Sequence, residues 1–138
     1  MVDKNILWSK ISAMQKHLDR VRTKRDISLH AFIHDLDRQE SVLFNLQMAI
    51  QNCIDMAAHI VSEKGLGVPG STNELFYSLE EHGLIEHVLT EGMVQCVGFR
   101  NLIVHQYGQV DLETVFRVCH EDIQDLQKFA KVLGERFG

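Results

Sequence analysis

The stretch RQESVLFNLQMAIQNCIDMAAHIVSEK, residues 38–64, decides the fold. Leu43, Leu46, Ile50, Cys53, Ala57 and Ile60 recur at intervals of three and four, the seam of an α-helix. Val42, Met48, Ala49, Ile54 and Val61 widen that seam, so the helix is expected to be buried on more than one side. A helix of that kind needs other helices around it, and the flanking sequence supplies them. Asp37 with Glu40 three residues later resembles a capping box at its start. At its end, Gly65 suits a left-handed C′ position, Pro69 cannot continue the helix, and Ser71 with Glu74 forms a second capping-box signature. A short helix to about His82 follows, and Gly83 breaks it. Leu84 to about His105 reads as a further helix with Ile85, Leu89, Cys96, Phe99 and Ile103 inward. Gly108 closes that helix. Val110, Asp111 and Val115 then read as staple, cap and packing partner of a last helix through Leu112, Phe116, Cys119, Ile123, Leu126, Phe129 and Leu133.

Upstream, Leu7, Ile11, Met14, Leu18 and Val21 make one stripe of a first helix, with Asp3 placed to cap it. Residues 28–36 read equally as a short separate helix or as an irregular link. Trp8, Met14, Met48, Met56 and Met93 are expected to fill the core. The expected architecture is all-α: an up-and-down bundle of about five helices forming one domain over residues 1–138.

Composition agrees. At 138 residues a two-domain enzyme is excluded, and 45% hydrophobic with 24% charged residues lies within the range of soluble folded domains. One proline and nine glycines leave few breakers, and seven phenylalanines with two tyrosines are too sparse for a strand-rich sandwich. The net charge of −5 argues against a protein that coats nucleic acid by bulk charge. The charge is uneven: residues 1–38 carry eight Lys/Arg against five Asp/Glu, and residues 39–99 one against eight. Arg20, Arg22, Lys24 and Arg25 form the one dense basic stretch, read either as a solvated helix end or as a phosphate-facing patch. Cys53, Cys96 and Cys119 form no CxxC pair and are odd in number, which suggests neither a zinc ribbon nor a disulfide framework. No apolar run reaches signal-peptide or membrane-span length, so a cytoplasmic protein is expected.

The chemistry concentrates in GFRNLIVHQYG, residues 98–108. Arg100 is an always-charged planar clamp for phosphate, His105 titrates near neutrality and Tyr107 brings a phenol, with Asn101 beside them. Structural roles for the same residues are helix capping and a histidine favoured by the negative end of the helix dipole. On a regular helix Arg100 and Tyr107 share a face, whereas His105 lies roughly 140° from Arg100 and about 7.5 Å along the axis. Either the helix distorts near its end, or another chain completes the site. Elsewhere His30 and His34, four apart with Asp35 and Asp37 close by, are a weak candidate metal site lacking a further ligand, so no metal or other cofactor is expected. Glu80, Glu81, His82, Glu86 and His87 read as solvated residues flanking the Gly83 turn.

Arg100-x4-His105-x-Tyr107, led by the Arg100–Asn101 pair, resembles the signature of the HEPN superfamily and of its HepT-like ribonuclease toxins. Leu46-Gln47-x-Ala49-Ile50, Ile54-Asp55-x-Ala57-x-His59, Pro69-x-Ser71 before Glu74-x-Phe76, and the closing amphipathic helix are similar to that family in order and spacing, over roughly residues 35–135. The resemblance implies a homodimer whose paired motifs face each other across a cleft, so that two copies of Arg100 and of His105 address one phosphate. It implies metal-independent RNA cleavage with Arg100 and His105 catalytic and with Asn101 and Tyr107 supporting or positioning the substrate. It further implies inhibition by a nucleotidyltransferase-fold antitoxin of the MntA type, with Tyr107 as the acceptor of AMP. A non-catalytic HEPN-type module that binds nucleotides or scaffolds a nucleotidyltransferase, or a purely structural helical adaptor, are the other readings; an intact Arg-His-Tyr set favours the enzyme.

Overall fold

The computed structural model describes residues 1–138, the side chain of Tyr107 excepted. Seven α-helices are formed: α1 (Lys4–Arg25), α2 (Leu29–Ile33), α3 (Leu36–Glu63), α4 (Thr72–Glu81), α5 (His87–His105), α6 (Leu112–Arg117) and α7 (Ile123–Phe137). A 3₁₀ turn, Tyr107–Gln109, follows α5, and a π-helical segment, Val118–Asp122, joins α6 to α7 in one continuous rod.

The stripe Leu7, Ile11, Met14, Leu18 and Val21 is buried, and α1 lies along the length of α3. The two run antiparallel, as the cross-links Asp3–His59, Lys10–Asp55 and His17–Asn45 require. α3 is the central helix: thirteen of its residues are buried, and it touches α1, α2, α4, α5 and α7. α7 runs parallel to α3, bringing the Cys53 thiol to the Leu126 carbonyl. Phe129 of α7 packs edge-on against Phe76 of α4, ring centroids 5.3 Å apart.

Several local expectations are refined. Residues 28–36 contain a real short helix, α2, capped by Ser28, whose hydroxyl accepts from the Ala31 amide. The cap of α3 is Asp35, two residues before the expected Asp37, because its carboxylate accepts from the Arg38 amide. α5 begins at His87, since the chain from Gly83 to Glu86 completes the preceding turn. Gly83 (φ 72°) and Gly65 (φ 63°) both end helices in the left-handed conformation. In each case the next residue's amide reaches back to the third residue from the helix end, Leu66 to Val61 and Leu84 to Leu79, closing a Schellman motif. Asp111 sits at the N-cap of α6, but its carboxylate takes the Thr114 hydroxyl instead of a backbone amide. Met14, Met56 and Met93 are fully buried as expected; Met48 is half-buried, and Trp8 is 49% exposed, its ring lying over Gly134.

Candidate active site

α5 is held from two sides. Leu89, Met93, Cys96, Phe99 and Ile103 face the core, and its line of packing against α7 is antiparallel, Cys96 reaching the Asp122 carbonyl. Gly92 leaves room for that packing: a Cβ there would lie 2.5 Å from the Asp125 carboxylate as it stands, and the carboxylate would have to move aside. The last turn closes normally, the Gln106 amide donating to the Leu102 carbonyl at 2.8 Å. α5 therefore stays α-helical through His105, which removes distortion as a way of aligning its polar residues. A single chain keeps Arg100 and His105 on different faces, roughly 140° apart.

Arg100 is half-buried, and its Nε is buried without a hydrogen-bond partner among the described residues. An unsatisfied buried donor costs about 1–3 kcal/mol or more when charged, so this Nε lacks an acceptor, which the described residues of a single chain do not supply. Asn101 and His105 are exposed one turn apart. No Asn101–His105 hydrogen bond occurs among the described residues, so Asn101 does not orient the ring in the isolated chain. The side chain of Tyr107 lies outside the described residues. None of the cavities described in the monomer is lined by Arg100, Asn101 or His105.

The structure locates the basic stretch that the sequence left unplaced. Arg25 donates to the Cys119 carbonyl at 2.7 Å, in the same π segment whose Asp122 carbonyl meets Cys96 of α5. The C-terminal ends of α1 and α5 thus lie at one end of the bundle. A π turn leaves carbonyls without their usual partners, and Arg25 and His120, which donates to the Phe116 carbonyl at 2.7 Å, occupy two carbonyls there. The alternative chemistries recede. His30 and His34 stack at 4.6 Å, but His34 Nδ1 is spent on the His30 carbonyl and Asp35 on its cap and on Arg38. Among the described residues no group of three or more side chains could hold a metal ion. Burial pushes the Cys96 thiol up to about 12 and Cys119 up to about 11, and raises Cys53 well above its ordinary value, so none is a nucleophile at neutral pH.

Residues 14–133 match the family model described as Ribonuclease HepT-like. The chain belongs to the HepT-like ribonuclease family. Among HepT-like relatives, the mRNA nuclease HepT of Shewanella oneidensis is 31% identical over 129 residues, covering 94% of this chain and 96% of that protein. The tRNA nuclease HepT of Aphanizomenon flos-aquae is 25% identical, with 94% and 88% covered. A solved structure of the tri-AMPylated Shewanella oneidensis HEPN toxin in complex with MNT antitoxin superimposes with a TM-score of 0.88 at 32% identity, covering 94% of this chain and 97% of that one. The HepT-like fold expected from the sequence is therefore the fold observed. No helix among the described residues is long and apolar enough to cross a membrane.

Proposed function

We propose that this HepT-like chain is the RNA-cleaving toxin of a HepT/MntA-type toxin–antitoxin pair, acting as a homodimer in the cytoplasm. The observation that carries the reading is the placement of Arg100 and His105 at the exposed end of an undistorted α5, on faces that a single copy cannot aim at one phosphate. A twofold axis beside that end brings two guanidiniums and two imidazoles to a shared cleft.

The chemistry then balances without a metal. One imidazole takes the proton of the 2′-hydroxyl as its oxygen attacks the adjacent phosphorus; the P–O5′ bond breaks, and an acid returns a proton to the departing 5′-oxygen. The products are a 2′,3′-cyclic phosphate and a 5′-hydroxyl. Arg100 grips the non-bridging oxygens in its planar fork and stabilises the charge that builds on them. Asn101 and Tyr107 position the substrate. Two copies carry a formal charge of twice −5, so RNA is held through local cations in a salt-sensitive encounter. Control comes from a nucleotidyltransferase-fold antitoxin, whose transfer of AMP to Tyr107 places phosphate and adenosine at the mouth of the site.

The test is expression of the chain alone beside His105→Ala and Arg100→Ala. The parent arrests growth and leaves cyclic-phosphate or 3′-phosphate ends in the presence of EDTA, and each variant loses about 10²-fold or more of the cleavage. Strict dependence on a divalent ion would overturn the imidazole mechanism. Toxicity unaffected by His105→Ala, with intact RNA, would favour the non-catalytic scaffold.

A further inference from the structure

The outer face of α1 carries a group of side chains that the cleavage site does not use. A shallow cavity of about 460 Å³ is lined there by Ser9, Ser12, Lys16, His17 and Arg20. His17 is held from beneath: its Nδ1 lies 2.8 Å from Oδ1 of Asn45, a side chain only 3% exposed. Asn45 Nδ2 donates to the Ser41 carbonyl at 2.8 Å, which fixes the amide so that its oxygen faces the ring. His17 Nδ1 must therefore donate, and the neutral ring keeps a lone pair on Nε2. Beside it Phe44 is 57% exposed, edge-on to the imidazole at 6.2 Å. Lys16 and Arg20, one turn apart and exposed, enter no ion pair among the described residues, and the nearby Asp19 is engaged by Arg22 at 3.0 Å. Spaced cations, hydroxyl donors and an exposed aromatic ring are what a single-stranded nucleic acid needs from a groove.

We propose that this face of α1 is an accessory RNA subsite: Lys16, Arg20 and the serine hydroxyls hold the phosphate backbone, Phe44 stacks a base, and His17 Nε2 accepts a hydrogen bond from a ribose 2′-hydroxyl. The inference rests on RNA being the substrate. It adds a contact that distinguishes RNA from DNA, since the 2′-hydroxyl is the group DNA lacks. Lys16, Arg20 and Lys24 repeat at four-residue intervals toward the end of the bundle where Arg25 meets the π segment and α5 terminates. A strand bound along α1 is thereby led toward that end.

Binding is measured by fluorescence anisotropy on the full-length chain carrying His105→Ala, which prevents cleavage, using a single-stranded RNA and a DNA of the same sequence. RNA binds more tightly, and added His17→Ala removes that preference while leaving DNA affinity nearly unchanged. Lys16→Ala/Arg20→Ala, which touches no buried partner, weakens both and lowers the salt slope of log Kd by about 1.4. Phe44→Ala weakens both by about fivefold or more. Equal RNA and DNA affinities, or an unchanged salt slope in the double variant, overturn the subsite. Light scattering accompanies each variant: a change of oligomeric mass identifies the face as an interface between copies and also overturns it. Cleavage by the unmodified chain is assayed in parallel. Its absence with the binding pattern intact sinks the nuclease reading alone; its presence with binding unaltered by the variants sinks the subsite alone.

Discussion

In the proposed mechanism Arg100 and His105 divide the work between a permanent charge and a group that takes and returns a proton. Tyr107, two residues on, opens the 3₁₀ turn that follows α5. Its phenolic oxygen attacks the α-phosphorus of ATP in the proposed modification, displacing pyrophosphate. The attached AMP would add negative charge to the segment that carries the proposed phosphate-binding arginine. Co-expression with the partner nucleotidyltransferase is expected to raise the intact mass by one or more AMP units, mapped to Tyr107, with RNA cleavage lost. Tyr107→Phe takes up no AMP at this position. Inhibition that persists on a protein of unchanged mass would show that binding alone neutralises the toxin. Residue types alone sufficed to propose this trio, because an arginine, a histidine and a tyrosine fall within eight positions at the end of a largely apolar helix and have a shared chemistry. His17 had no such signal: its meaning depends on Asn45, 28 residues away and brought to it only by the pairing of α1 with α3.

Among the elements, the α5–α7 contact sets where Arg100 and His105 stand. Gly92 lets the Asp125 carboxylate lie against α5, and burial there raises the Asp125 carboxyl above its ordinary value of 3.8, with Lys128 opposing. The folded state therefore binds that proton more strongly than the unfolded chain does. At neutral pH the native protein carries a desolvated charge, a cost relieved as pH falls through the raised folded value. Asp125→Asn is expected to raise Tm at pH 7, and the advantage shrinks to nothing below about pH 3.8. Thermal melts of both proteins across pH check this, and an advantage independent of pH would refute the desolvation account. Helices were legible from their apolar periods because one buried stripe per helix is a local pattern. Their starts were less so. Asp35 and Asp37 are equally good caps by type, and only the backbone direction of the link from α2 chooses between them.

For the whole molecule, dimerisation is the expectation that matters most. On α5, Gly98 and Leu102 lie on the His105 side, within about 60° of it by helical geometry. Leu102 is 46% exposed, and a Cβ at Gly98 would meet open space within its own chain. A mid-helix glycine costs about 1 kcal/mol relative to alanine, so one that no intrachain contact demands is suited to the close approach of a second chain. Light scattering is expected to give the mass of two 15.8 kDa chains at micromolar concentration. In a dimer built on this face of α5, Leu102→Glu would place like charges against each other across the twofold axis. It is expected to yield monomers and, with them, at least a tenfold loss of cleavage. A stable monomer of the parent chain that still cuts RNA would reject the shared cleft.

The sequence by itself determined that the chain is helical and which apolar stripes of its helices are buried, and it singled out the short segment to which the proposed chemistry is assigned. These follow from periods of three and four and from residue types close together in the chain. The tertiary structure decided what lies far apart in sequence. It brought Arg25 to the π segment that α5 also meets, fixed His17 on Asn45, and kept α5 regular through His105. The physical reason is that hydrogen-bond partners and desolvation are set by whichever elements pack together. A local pattern specifies the stripe that is buried, whereas the partner that covers it is chosen only when the whole bundle closes.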